Sequence, residues 1–248
     1  MTTSKMTRIL ALCLAALAAA CGAQASVVTM QTRYSTDGPA TFGTAAANGA
    51  AYQATVLGLD AVAPTTGYCN ATVASYTGLS NQSVCGGSNV NLAFHFGVDF
   101  NLSGAQAGDF SLRVGPDFGL GGAVFLDGQL LGVRTTDMWW SGSYGSASQI
   151  FEFDSLALLA GVHHLDIVGL EACCDGAQEA QFRLASTAAW TTFSVLDGLK
   201  AAPEPGSAPL ALAGLGGLAL LHRRRVRLAQ ACDPSLAARL QNQRPKTH

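Results

Sequence analysis

Apolar and polar residues alternate without a break over positions 92–102. Leu92, Phe94, Phe96, Val98, Phe100 and Leu102 fall on one side of an extended chain, and Ala93, His95, Gly97, Asp99 and Asn101 on the other. A repeat of two predicts a β-strand with one buried face, and helical spacing does not fit it. Shorter runs repeat the habit at 110–114, 123–128, 130–134, 149–154, 163–170, 181–186 and 190–196. Asp37-Gly38, Asp127-Gly128, Asp175-Gly176 and Asp197-Gly198 are turn signals, because Asp and Gly tolerate positive φ. Asp127-Gly128 stands between two apolar runs and predicts a hairpin. Short strands with abundant Gly predict an all-β protein, a β-sandwich with the jelly roll as the first candidate architecture. The Ala-rich stretch 43–64 is ambiguous, and part of it suits a helix.

The two ends show other patterns. Lys5 and Arg8 precede an apolar run at 9–20, and Ala23-Gln24-Ala25 is a small-x-small cleavage site. Residues 1–25 therefore read as a helical signal peptide cut before Ser26. Lipidation at Cys21 is the rival, but Ala18 stands where lipoproteins usually carry Leu. After the body, 201–207 is a Pro/Gly/Ser linker that the prolines keep extended. Residues 206–221 are uncharged and would form a helix of roughly 24 Å, a little short of a ~30 Å hydrocarbon core. Arg223, Arg224, Arg225 and Arg227 come next and would stay cytoplasmic, leaving the body outside. This predicts a C-terminal transmembrane helix.

The near-neutral total charge hides a segregation. From Ser26 to Ala202 five cations face fourteen anions, a net charge of −9. That argues against nucleic acid and anionic membrane surfaces as partners. It suits an exported, solvated domain of roughly 175 residues, 26–200, with a single core, and it allows bound Ca²⁺. Four of the seven cysteines lie in this body: Cys69, Cys85, Cys173 and Cys174. Export permits disulfides, and four cysteines allow three pairings. Cys69 with Cys85 would staple a loop, leaving Cys173 and Cys174 as a vicinal disulfide or as thiols; the other pairings cross between the two sets.

No HExxH, GxSxG, phosphate-cradling Gly loop or CxxC is present, so the chain is read as a non-enzyme. His163 and His164 are adjacent on a strand pattern and point to opposite faces, so they cannot chelate one metal as a pair. Trp139, Trp140 and Tyr144, with Asp137, lie in a Gly/Ser-rich stretch and could stack on a sugar. Asp127, Glu171 and Asp175 supply the hard oxygen ligands that Ca²⁺ takes. Adjacent cysteines close a ring only by distorting the peptide between them, which gives a rigid kink, and Gly176 permits the turn after it.

Pro203-Glu204-Pro205, the Gly/Ala/Leu-rich span and the Arg223-Arg224-Arg225 cluster resemble the PEP-CTERM sorting signal of exported bacterial proteins, here over 201–227. The resemblance implies recognition by an exosortase-type protease-transpeptidase, with the secretion machinery as a second partner. It also implies transient inner-membrane anchoring, removal of the span, and delivery of the body to the cell surface or an extracellular matrix. The tail 228–248 departs from the pattern, which usually ends soon after the arginines. Cys173-Cys174-Asp175-Gly176, with 124–153 upstream, resembles a PEP-CTERM subset carrying a Cys-Cys-x-Gly motif. The same residues are loosely similar to PA14-like β-sandwiches, many of which bind glycans. Three functions fit these features: a structural or adhesive matrix protein, a carbohydrate-binding module, and a secreted hydrolase. An exposed Trp139/Trp140 platform beside Asp127, Glu171 and Asp175 would favour the second.

Overall fold

The computed structural model describes residues 25–199. Their first half contains β1 (Val27–Tyr34), α1 (Ala45–Asp60), β2 (Asn70–Val73), α2 (Asn81–Cys85), β3 (Val90–Leu102), β4 (Gly108–Gly115), β5 (Asp117–Phe118) and β6 (Gly122–Leu126). The second half contains β7 (Gln129–Arg134), β8 (Met138–Trp139), β9 (Phe151–Leu158), β10 (Gly161–Cys173), β11 (Glu179–Leu184) and β12 (Thr191–Thr192). One sheet has the order β2-β1-β3-β10-β6-β7 and a second β12-β11-β4-β9; β5 and β8 form a separate ribbon. The predicted β-sandwich is present. The signal peptide, the Pro203-Glu204-Pro205 motif, the span 206–221, the arginines and the tail lie outside the described residues. Among the described residues no helix is long and apolar enough to cross a membrane.

The alternation in β3 does what its period dictates. All six apolar residues from Leu92 to Leu102 are at most 2% exposed and point between the sheets. Phe100 stacks on Phe110 at 5.4 Å and Phe110 on Phe182 at 5.6 Å, so aromatic contacts run from one sheet to the other. Ridges of Phe, Val, Leu and Ile from both sheets complete this core. Asp127 and Gly128 both take positive φ (51° and 76°), the turn that joins β6 to β7 as the predicted hairpin.

The Ala-rich stretch resolves as α1, capped by Thr44, whose side chain accepts from the Ala47 N–H. It covers the outer face of the larger sheet, laying Tyr52 and Val56 against Ala93, Phe125, Val168 and Leu170. Its sequence is ambiguous because alanine and glycine surround it on all sides, leaving no clear apolar stripe.

Beyond the end of α1 the same outer face carries a charged array. His95 places Nδ1 2.8 Å from Asp60 and Nε2 2.7 Å from Asp166. His164 reaches Asp99 through Nδ1 at 2.6 Å and the same Asp166 oxygen through Nε2 at 2.9 Å. Arg33 adds a bond to the Asp60 carbonyl and another to that of Val62, where α1 ends. The array clamps a helix C-terminus, whose partial negative charge calls for cations.

The cysteines settle into one of the three pairings, Cys69–Cys85 and Cys173–Cys174. The first closes a loop around β2 and α2. Its Cα atoms are 5.5 Å apart, a normal disulfide spacing.

Candidate functional site

β10 runs past the end of its pairing with β6 at Gly169 and ends in Glu171, Ala172 and Cys173, still paired with β3. The β5–β8 ribbon docks beside it through Leu120 N–H to Leu170 O and Leu170 N–H to Gly121 O, both 3.0 Å. Asp117 pairs with Trp139 across the ribbon, and Asp137 lies just before β8. Between ribbon and strand end opens a cleft of about 530 Å³, lined by Asp117, Gly119, Asp137, Trp139, Glu171, Ala172, Cys173 and Cys174. A Cβ at Gly119 would stand 2.7 Å from Glu171 Oε1, so a side chain there would push the Glu171 carboxylate from its place.

The cleft lining is acidic and buried at Asp117 and Glu171, and Asp175 lies next to them outside the lining. Glu171 is 3% exposed, Asp117 6% and Asp175 6%. Backbone N–H groups hold them: Gly119 and Cys173 donate to Glu171, Gly176 to Asp117, and Asn81 to Asp175. Asp175 Oδ1 is buried without a hydrogen-bond partner. Among the described residues no salt bridge reaches any of these carboxylates or Asp137. Burial pushes Asp175 up to about 7, with Asp117 and Glu171 adding repulsion. Burial likewise lifts Asp117 to about 6 and raises Glu171, both helped by the Asp137 charge. A folded state that raises carboxylate pKa values binds more protons than the unfolded chain. The cluster therefore costs stability above those pKa values and relaxes as pH falls toward the unfolded value near 4. Among the described residues no three such side chains already close on one point at metal-ligand spacing.

Several predicted site residues belong elsewhere. Asp127 sits in the β6–β7 turn, 2.7 Å from His163 Nδ1 and 2.9 Å from the His164 N–H. His164 and Glu171 lie seven residues apart along β10, roughly 23 Å at strand rise. Asp127 therefore cannot share an ion with Glu171 and Asp175. Trp140 is only 8% exposed and packs over Gly115, whereas Trp139 is 63% exposed at the cleft. Adjacent strand residues face opposite ways, so the two indoles form no joint platform. Tyr144 lies under the Arg113 guanidinium, 3.9 Å from its ring centre, and donates to the Glu179 carbonyl. The positive φ of the Cys-Cys turn falls on Cys174 (78°) and not on Gly176. Gly176 instead allows close approach, since a Cβ there would meet Asp117 Oδ2 at 2.8 Å. His163 and His164 do face opposite sides: His163 is buried against Phe100, and His164 points outward. Asp117 was the missed member. Its only sequence signal is an acidic residue inside Gly115-Pro116-Asp117-Phe118-Gly119, a turn-rich interruption between strands.

No protein-family model matches the chain, and no curated protein matches it. Similar solved structures include a PA14 sugar-binding domain from an RTX adhesin, at 12% identity and TM-score 0.41, covering 72% of this chain and 99% of that one. Another is the PA14 domain of the MpAFP antifreeze protein, at 8% and 0.44, covering 71% and 89%. A third is the epithelial adhesin 9 A domain from Candida glabrata in complex with Galb1-3GlcNAc, at 6% and 0.43, covering 73% and 91%. These likenesses fall below a TM-score of 0.5, and the β-sandwich assignment rests on the strand order alone. Fold and site define a β-sandwich with an acidic cleft edged by one indole and one vicinal disulfide.

Proposed function

We propose that this chain is an exported surface or matrix protein whose cleft binds a carbohydrate with the help of Ca²⁺. The observation that carries the reading is the buried carboxylate pair of the cleft lining, Asp117 and Glu171, with no salt-bridge partner among the described residues, beside an exposed indole. Carboxylates buried together take up protons or gain a countercharge, and an all-oxygen donor set suits Ca²⁺ better than a transition metal. Asp117, Glu171 and exposed Asp137 would hold the ion, and Asp175 would balance it from behind. Trp139 offers its ring to the C–H face of a sugar, while ion and carboxylates take hydroxyl groups.

In metal-free protein, stability should rise on acidification from pH 7 toward 5. Ca²⁺ should reverse that trend. At a hundredfold excess over Kd it contributes about 2.7 kcal/mol, so Tm should rise by roughly 5 °C or more. Thermal denaturation across pH, with Ca²⁺ or EDTA, reads this directly. Asp117→Asn with Glu171→Gln should remove the shift. An unchanged Tm in wild type at millimolar Ca²⁺ would overturn the cation.

The sorting half of the reading rests on the PEP-CTERM resemblance. Ser26 N–H lies 3.5 Å from Asp197 Oδ1, so both ends of the described body emerge together. They emerge beside the first residues of β1, roughly 23 Å along the strands from the cleft. Glu204→Ala should leave full-length precursor in the membrane fraction. Wild-type release of that variant would refute exosortase-type processing.

A further inference from the structure

We infer that the Cys173–Cys174 disulfide is a ligand-contacting wall of the cleft, an apolar sulfur surface that selects a pyranose by its C–H face. The inference rests on the carbohydrate reading above and adds a specificity element to it.

Three observations separate this disulfide from a structural staple. First, it closes no chain loop. Disulfide stabilisation comes mainly from restricting a loop in the unfolded chain, and adjacent residues enclose none. Cys69–Cys85, with a sequence separation of 16, does enclose one. Second, both Cys173 and Cys174 are exposed, although cysteine is among the residues most often buried. They line the same cleft as Trp139, itself exposed. Third, the turn is held in an uncommon conformation. Cys174 has φ 78°, a region that costs a non-glycine residue energy, and unlike Asp127 it serves no hairpin between paired strands.

The backbone around the disulfide fixes it relative to the acidic floor. The N–H groups of Cys174 and Asp175 both donate to Asn89 O, at 2.7 and 3.0 Å. Cys173 N–H donates to Glu171 Oε1 at 2.7 Å. Sulfur wall and carboxylates are thus one rigid unit. A disulfide is polarizable and a poor hydrogen-bond partner, so it suits a ligand surface made of C–H groups. A pyranose has such a face and a rim of hydroxyl groups beside it. The cleft offers both complements side by side: sulfur and indole for the face, carboxylates for the rim.

The test uses the mature exported protein and a panel of methyl pyranosides (gluco, galacto and manno) with Ca²⁺ present. Calorimetry first finds which glycoside binds. Wild-type protein is then treated with a water-soluble trialkylphosphine, with and without that glycoside at saturation. The phosphine attacks one sulfur and the S–S bond breaks. Water supplies oxygen to phosphorus and protons to both thiolates, giving two thiols and phosphine oxide. Peptide mass mapping after alkylation tracks each disulfide separately. A bound ligand should slow reduction of Cys173–Cys174 by about fivefold, because exchange at sulfur depends on access. Cys69–Cys85 serves as the internal control and should be unaffected. Cys173→Ala with Cys174→Gly, glycine being chosen for the positive φ, should weaken glycoside affinity about tenfold. The Ca²⁺ shift in Tm should remain. If a glycoside binds but the reduction rate does not change, the contact is overturned while the carbohydrate reading stands. If no glycoside binds wild type, the carbohydrate reading falls and takes this inference with it.

Discussion

Asp166→Ala lowers the stability of the folded body by roughly 2–4 kcal/mol and flattens its alkaline stability profile. The side chain is the shared acceptor of two imidazole rings, at 2.7 Å from His95 and 2.9 Å from His164. Burial alone would lower the His95 pKa, but the hydrogen bonds its ring donates to Asp166 and Asp60 outweigh it and lift the group to about 9. His164 also rises to about 9, first through Asp166 and then through Asp99, against partial burial. The same pairs hold Asp166 well below the usual carboxylate range. Both rings are therefore imidazolium at neutral pH, and each stands between two carboxylates.

The sign comes from proton binding. A histidine with a raised pKa binds its proton more tightly folded than unfolded. Its contribution is complete below the unfolded value near 6.5 and is lost as pH rises through about 9. Denaturant titrations from pH 6 to 10 should show wild type losing stability across that window. In Asp166→Ala part of the loss is already present at pH 6, and the slope above it should become shallower, because Asp60 still pairs His95 and Asp99 still pairs His164. The figure stays near the low end because His164 is about half exposed and solvent screens its share. Arg33 remains on the end of α1 in the variant, so the helix should loosen at its C-terminus and stay docked elsewhere. An alkaline slope as steep as wild type would show that the array is not the titrating element.

Removing Cys69–Cys85 as a pair of alanines should cost about 3 kcal/mol, the loop-entropy value for a closed loop near 15 residues. The stapled segment also carries packing. Tyr76 inside it is fully buried and stacks on Phe96 at 4.7 Å. Asn81 bonds outward in several directions. It accepts from Thr32 at 2.6 Å, reaches Gly67 O and Ser88 O at 2.8 Å, and donates its N–H to Asp175 at 2.6 Å. The staple thus holds the residue that fixes the back of the cleft. The double variant should lower the denaturation midpoint and also weaken the Ca²⁺ response. Replacing Cys173 and Cys174 should move global stability by well under 1 kcal/mol, because no loop opens. Equal losses from both replacements would contradict the division of labour between the two disulfides.

Features set by short-range periodicity appear in the structure where the sequence puts them. The run at 92–102 became β3 with the expected face inward, and Asp127-Gly128 became the turn it predicts. Both are local: strand alternation and positive-φ tolerance need only the residue and its neighbours. Opposed His163 and His164 obey the same rule. The same alternation sets Trp139 outward and Trp140 inward, so the two indoles share no platform.

What only the tertiary structure decided depends on residues distant in the chain. Asp117 joins Glu171 because the β5–β8 ribbon docks on β10, a contact no local pattern encodes. His95 and His164 meet at Asp166 because β3 and β10 pair in one register. A slip of one residue would send every one of these side chains to the other face. The choice among three disulfide pairings needed the positions of all four cysteines in space. The sequence by itself therefore determined strands, turns, the acidic body and the pattern of its ends. Which carboxylates share a buried floor, and which indole stands over it, was decided by strand pairing, since pairing partners are set by the packing of the whole core and by no single segment.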